Sequence, residues 1–218
     1  MQNNFDLIVF DWDGTLMDSA AAIVYAIQAA SRDLGLPEPD DRQARQVIGL
    51  GLVDALQRAV PDLPEHEYPR MAERYRHHYL SRDHELTLFE GIEALMAVLA
   101  QRGFRLAVAT GKSRPGLDRA LAHSGLGGYF QALRCADQCH SKPHPQMLEE
   151  LMEELGAGPE RTLMIGDTTH DLQMARNAGT AGLGVGYGAH LREELQALAP
   201  LACLDTVEEL QAWLLAHG

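Results

Sequence analysis

Four short apolar runs, each ending in small polar residues, constrain this chain more than any other feature. Leu7-Ile8-Val9-Phe10 runs into Asp11-Trp12-Asp13-Gly14-Thr15, and Phe104-Arg105-Leu106-Ala107-Val108-Ala109 into Thr110-Gly111-Lys112-Ser113. Thr162-Leu163-Met164-Ile165 leads to Gly166-Asp167-Thr168-Thr169-His170-Asp171, and Gly182-Leu183-Gly184-Val185 to a glycine-rich stretch. A weaker run lies at Ala132-Leu133-Arg134. Runs this short and continuous suit strands covered on both faces, as in a parallel sheet. Helical stretches lie between them, at about 91–101, 114–123, 145–156, 169–178 and 206–216. The alternation predicts an α/β fold: a doubly wound parallel sheet with helices on both faces.

Residues 18–84 break the rhythm. Ala20–Leu34, Gln43–Val60 and Glu65–Leu80 carry helical periodicity without strands, separated by Pro37, Pro39, Pro61 and Pro64. The expected division is an α/β core of 1–17 and 85–218, with 18–84 inserted as an all-helical cap domain. Connections near 16–19 and 84–90 would hinge that cap over the ligand edge of the sheet.

Charge narrows the function classes. A net charge of −13, from 31 acidic and 18 basic residues, argues against nucleic acid and anionic membranes as partners. No apolar run approaches a membrane span, and the start lacks the basic and apolar regions of a signal peptide, so a cytoplasmic protein is expected. Cys135, Cys139 and Cys203 are too few and too odd in number for a disulfide framework. The chain is expected to act as a monomer or weak homodimer.

In open α/β sheets, ligands sit outside the carboxyl ends of the strands. Asp11 and Asp13, Thr110, and Asp167 with Asp171 all fall there, so three polar clusters converge on one edge. Four carboxylates of this kind make a hard oxygen site suited to Mg²⁺, which binds through carboxylates and substrate phosphate. Without a cation they would repel a phosphate dianion; Lys142, between Ser141 and Pro143, offers a second positive charge. Thr110 and the backbone N–H groups at Gly111 suit a phosphate oxygen at a helix start, although Ser113 there also fits a plain helix cap. Asp167 and Asp171 are four apart and share a helix face, where acidic residues also complement the helix dipole.

These four elements, in this order, resemble the haloacid dehalogenase superfamily, and the helical insertion resembles the cap of its phosphoglycolate phosphatase-like branch. The resemblance implies a Mg²⁺-dependent phosphatase acting on a small phosphorylated metabolite. It casts Asp11 as the nucleophile that forms a phosphoaspartyl intermediate and Asp13 as general acid/base. Asp11, the backbone carbonyl of Asp13 and Asp167 would bind Mg²⁺, with Asp171 in support. Thr110 and Gly111 would take the phosphate, and Lys142 would neutralise the charge between nucleophile and phosphate. Ile48-Gly49-Leu50-Gly51 resembles the cap loop that faces such a site, which brings Gly51 among the candidate substrate contacts. Arg45 and Lys112 are candidate contacts for a second anionic group, with ordinary surface charge as the alternative for both. Glu90 stands where many relatives have proline.

Three rival readings stay open: a phosphotransferase or sugar-phosphate mutase of the same superfamily, a true dehalogenase, and a receiver-like phospho-signalling domain. The second has no use for Asp13 or a metal cluster, and the third no use for a cap. Cys135, Cys139, His140 and His144 have a zinc-like spacing but lie beside the phosphate-site lysine. Gly184-Val185-Gly186-Tyr187-Gly188-Ala189 fits a dinucleotide fingerprint but comes at the last strand, so a glycine-rich loop is the better reading. His77 and His78 are expected to be exposed.

Overall fold

The computed structural model describes residues 4–217. Six parallel strands form one sheet: β1 (Leu7–Phe10), β2 (Arg105–Thr110), β3 (Ala132–Cys135), β4 (Thr162–Gly166), β5 (Ala181–Val185) and β6 (Cys203–Leu204). Their order is β3-β2-β1-β4-β5-β6. The chain therefore winds one way from β1 and the other way from β4, the topology that places ligands at the reversal point. In register, Phe10 lies beside Val108 on one side and Ile165 on the other, so the polar clusters leave the sheet at one level.

Alternation along β1 assigns each residue a face. Ile8 and Phe10 pack with Leu95, Met96 and Leu99 of α5 (Ile92–Gln101) and with Leu210 and Leu214 of α10 (Val207–His217). Leu7 and Val9 pack with Met147, Leu148 and Leu151 of α7 (Gln146–Leu155) and Met174 of α8 (Thr169–Ala178). β1 is wholly buried, as its unbroken apolar run requires. Each such leucine removed from water contributes about 2 kcal/mol, enough to fix which face a strand shows. The remaining core helices are α6 (Arg114–Ser124) and the short α9 (Arg192–Gln196). β6 and α9 have no counterpart in the sequence reading; at two and five residues they are too short to show a period.

Between β1 and β2 the chain forms α1 (Ala20–Asp33), α2 (Asp41–Arg45), α3 (Leu52–Ala59) and α4 (Tyr68–Leu80), with no strand among them. The helix expected over Gln43–Val60 is two helices. Gly49 breaks it, with φ +89° in the left-handed region that only glycine enters without strain. α4 starts three residues later than expected, after a 3₁₀ turn over Glu65–Glu67. His78 is also not exposed, because its Nε2 lies 2.8 Å from Asp33 Oδ2. The two connections to the helical insertion pair with each other. The Asp18 N–H donates to the Thr87 carbonyl (2.9 Å), the Phe89 N–H donates to the Leu16 carbonyl (3.0 Å), and Met17 bridges Leu88. No helix of the described residues is long and apolar enough to cross a membrane.

Candidate active site

β1 ends at the reversal point, and the Asp11 N–H donates to the Ile165 carbonyl of β4 at 2.9 Å. Trp12 turns into the core, fully buried and edge-on to Phe130, so Asp11 and Asp13 turn to the site. Gly14 then takes φ +86°, and a Cβ there would run into the Asp167 carboxylate. The turn must bring the two acidic strand ends together, and only glycine leaves room for it.

Asp167 is held from three directions. Thr15 Oγ1 donates to its Oδ1 at 2.8 Å, and the Ala189 N–H donates to its Oδ2 at 2.7 Å. Gly188 passes so close that a Cβ would overlap the same carboxylate. The glycine-rich stretch after β5 is thus a strand-end loop that closes over Asp167. Its Tyr187 hydroxyl donates to the Thr15 carbonyl at 3.0 Å.

Lys142, in the loop between β3 and α7, is fully buried. Its Nζ lies 2.7 Å from Asp11 Oδ1 and 2.6 Å from Asp171 Oδ1. The other Asp171 oxygen accepts from the Thr168 N–H (3.1 Å) and Thr168 Oγ1 (2.7 Å), a capping box at the start of α8. Asp171 therefore caps its helix and anchors the lysine at once. Burial acts to lower the Lys142 pKa, but Asp11 and Asp171 outweigh it and hold the ammonium charged.

Asp11, Asp167 and Asp171 place one ligand atom each within 4.8 Å of one another, all buried. Asp11 Oδ2 has no hydrogen-bond partner among the described residues. Burial raises the Asp11 carboxyl well above the usual range; Lys142 opposes this, while Asp171 and Asp167 add to it. Burial likewise pushes Asp167 up to about 7, with Asp171 adding. Three buried carboxylates, one lysine and an orphaned oxygen form a site short of positive charge, and an all-oxygen donor set fits a hard divalent cation. Among the described residues no other group of this kind forms. Cys135 is buried, Cys139 Sγ lies 3.7 Å from Glu150 Oε2, and the His140 and His144 rings meet at a tilt of 39°.

Thr110 ends β2, buried, with its Oγ1 accepting the Lys112 N–H at 3.2 Å. Gly111 faces the helical insertion so closely that a Cβ would strike the carbonyls of Gly49 and Leu50. The Gly51 N–H donates to Ser141 Oγ at 2.9 Å, next to Lys142. His170 Nε2 lies 2.9 Å from the Gln46 carbonyl, and Gln46 Nε2 donates to Glu194 Oε2 at 2.8 Å. The Ile48–Gly51 loop thus does face the site.

Ser19, Tyr79 and Ser141 escaped sequence reasoning, and Lys112, offered there as an anion contact or a surface charge, is tied into the site. Lys112 Nζ lies 3.0 Å from Asp13 Oδ2 and donates to the Tyr79 hydroxyl at 3.0 Å, so it is no surface charge. Burial works against its charge, and Asp13 with Tyr79 and Tyr75 restores it. Ser19 Oγ donates to Asp13 Oδ1 at 2.9 Å. A TGK sequence at a strand end was the available signal for Lys112; nothing local points to Ser19, Tyr79 or Ser141. Arg45 is half-buried and does not line the cavity between insertion and core. Ser113 sits at the N-cap of α6 without a side-chain capping bond.

A sheet of this order, with acidic clusters at its reversal point and a helical insertion after β1, belongs to a known class. Residues 8–185 match the haloacid dehalogenase-like hydrolase model, and the chain belongs to that family of enzymes. Among curated relatives, one named "Probable phosphatase IndB", from Dickeya dadantii, is 40% identical over 210 residues, covering 94% of this chain and 91% of the relative. Phosphoglycolate phosphatase of Vibrio vulnificus is 31% identical over 218 residues, covering 96% of each chain. The crystal structure of a predicted phosphoglycolate phosphatase from Haemophilus somnus superposes with a TM-score of 0.86 at 27% identity, covering 99% of each chain.

Proposed function

We propose that this enzyme is a Mg²⁺-dependent phosphatase of small phosphorylated metabolites, working through a phosphoaspartyl intermediate in the cytoplasm. The observation that carries the reading is Asp11: fully buried, one oxygen on Lys142 and the other without a partner, among two further carboxylates. An orphaned buried carboxylate oxygen is costly unless something binds it.

Asp11, Asp167 and the Asp13 backbone carbonyl would hold the metal, with Asp171 fixing Lys142 beside them. When bound, Mg²⁺ supplies positive charge to the phosphate oxygens and offsets the carboxylates. Lys142 neutralises charge between Asp11 and the phosphoryl group, and Thr110 with the Gly111 N–H binds a phosphate oxygen. The Asp11 carboxylate attacks phosphorus as the ester P–O bond breaks. Asp13 gives its proton to the departing alkoxide, then takes one from a water that attacks the phosphoaspartate. That second attack breaks the bond to Asp11 and releases inorganic phosphate.

Helices α1–α4, residues 18–84, serve as the cap over a core of 1–17 and 85–218, excluding bulk water from the intermediate. Substrates are small esters without nucleic-acid or membrane partners; phosphoglycolate, the substrate in the Vibrio relative's name, belongs to this size class. The test is phosphate release from a panel of metabolite phosphates with Mg²⁺ and water as sole acceptor, using Asp11→Asn as the blank. Release by the wild type alone supports the reading. Equal release by the variant, or none from any ester, rejects it.

A further inference from the structure

The cavity between the helical insertion and the sheet edge has a volume of about 740 Å³ and reaches Asp13, Thr110 and Lys112. A two-carbon acid occupies a small part of such a space, which is the size of a pocket for a drug-sized ligand. The wall that the helical insertion gives it is mainly apolar: Ile23 and Ile27 of α1, Leu56 of α3, and Tyr75 and Tyr79 of α4 all line it. The two tyrosine rings lie nearly parallel, 18° apart with centroids 5.8 Å apart, and form one aromatic wall. Tyr79 is pinned, because Lys112 Nζ, itself held by Asp13, donates to its hydroxyl and lies 4.6 Å from its ring centroid.

Two further observations agree. Lys112, the cation beside the phosphate end of the cavity, is already matched by Asp13 at 3.0 Å, and the other lining cations, Arg76 and Arg119, are exposed, so a second substrate carboxylate would find no unmatched buried cation there. Val53 and Leu80, which also line the cavity, are 53% and 44% exposed, and they are two of the four exposed large hydrophobics among the described residues. Exposed apolar side chains gathered at a cavity mark a surface meant to be covered.

On the phosphatase reading above, we propose that the substrate is the phosphomonoester of an alcohol bearing an uncharged planar ring, held by the Tyr75–Tyr79 wall and the isoleucines of α1. Small anionic acids such as glycolate phosphate are poor substrates by comparison. A ring that slides onto an aromatic face and leaves water gains about two orders of magnitude in apparent affinity.

The experiment compares 2-phenylethyl phosphate, ethyl phosphate and phosphoglycolate by phosphate release with Mg²⁺. The first two leave as similar primary alkoxides, so their difference reports the ring. The expected kcat/KM for 2-phenylethyl phosphate is about 100-fold above both others. Tyr75→Ala is expected to lower the ratio of phenylethyl to ethyl ester by about 10-fold, through KM. A variant that merely loosened the fold would lower both rates and leave the ratio. Should Tyr75→Ala not fold, Val53→Asp at the exposed mouth is expected to lower the same ratio about 3-fold. Phosphoglycolate as the best substrate, or a ratio unmoved by the variants, overturns the substrate class and leaves the phosphatase intact. No release from any of the three overturns both.

Discussion

The sheet edge and the cap-side chamber are built on opposite terms. At the edge, side chains are held from separate segments of the chain: Asp167 by Thr15 and Ala189, Lys142 by Asp11 and Asp171. Its groups are charged, fully buried and mutually dependent. The chamber is lined largely by apolar side chains of α1, α3 and α4, and single hydrogen bonds tie its walls to the core, among them Gly51 to Ser141, Lys112 to Tyr79 and Gln46 to Glu194. Chemistry that must not vary sits on the rigid frame. On the reading proposed above, selection of the leaving group falls to the side chains of the chamber.

That contrast can be broken first at the edge. Asp11→Asn is expected to lower kcat about 10⁴-fold or more while thermal unfolding stays at or above the wild-type midpoint, since the change removes a buried charge. A large loss of stability would make Asp11 a structural group instead. Lys142→Met should lower kcat about 10³-fold and, by leaving Asp11 and Asp171 buried without their counter-charge, cost about 3 kcal/mol in urea unfolding. Activity loss without destabilisation would mean the two ion pairs contribute little to the fold.

At the seam between the regions the effect is smaller. Gly111→Ala would push its new Cβ against the Gly49 and Leu50 carbonyls, keeping the cap loop off the core. The expectation is a 10-fold or so rise in KM with an unchanged far-ultraviolet spectrum. An unchanged KM would show that the loop need not approach Gly111 during turnover.

The smallest effect is one of pH. With metal removed by a chelator, Asp167 has a folded-state pKa of about 7, raised from 3.8. The native state then binds more protons than the unfolded chain above the lower value. Its contribution to stability is full below 3.8 and is lost as pH rises through about 7. The melting midpoint of the metal-free protein should fall between roughly pH 5 and pH 8, and Asp167→Asn should flatten that slope. A slope that survives the substitution would assign it elsewhere.

The same contrast explains what could be read in advance. Asp11, Asp13, Thr110, Asp167 and Asp171 were legible because each ends a local apolar run, and topology alone brings such ends together. Lys142 was legible through the prolines on either side of His144, which stiffen the chain next to it, and through the need for a counter-charge. Lys112 pairs with a carboxylate nearly a hundred positions earlier and with a tyrosine on α4, and no local pattern encodes either contact. The Gly49 break was hidden because residues 43–60 keep helical periodicity on both sides of it. Ser19 and Ala189 act through one hydroxyl and one backbone N–H, which leave no signature in composition.

The strap formed by Leu16–Asp18 and Thr87–Phe89 couples the two regions mechanically. Asp13 bridges Met17 within it, and Ser19, which holds Asp13 Oδ1, is the residue on which α1 begins. Any swing of α1 about this strap would therefore pull on Asp13, the proposed acid and base. On the proposed reading lever and tool share one stretch of backbone, so seating the lid would bring proton transfer into alignment.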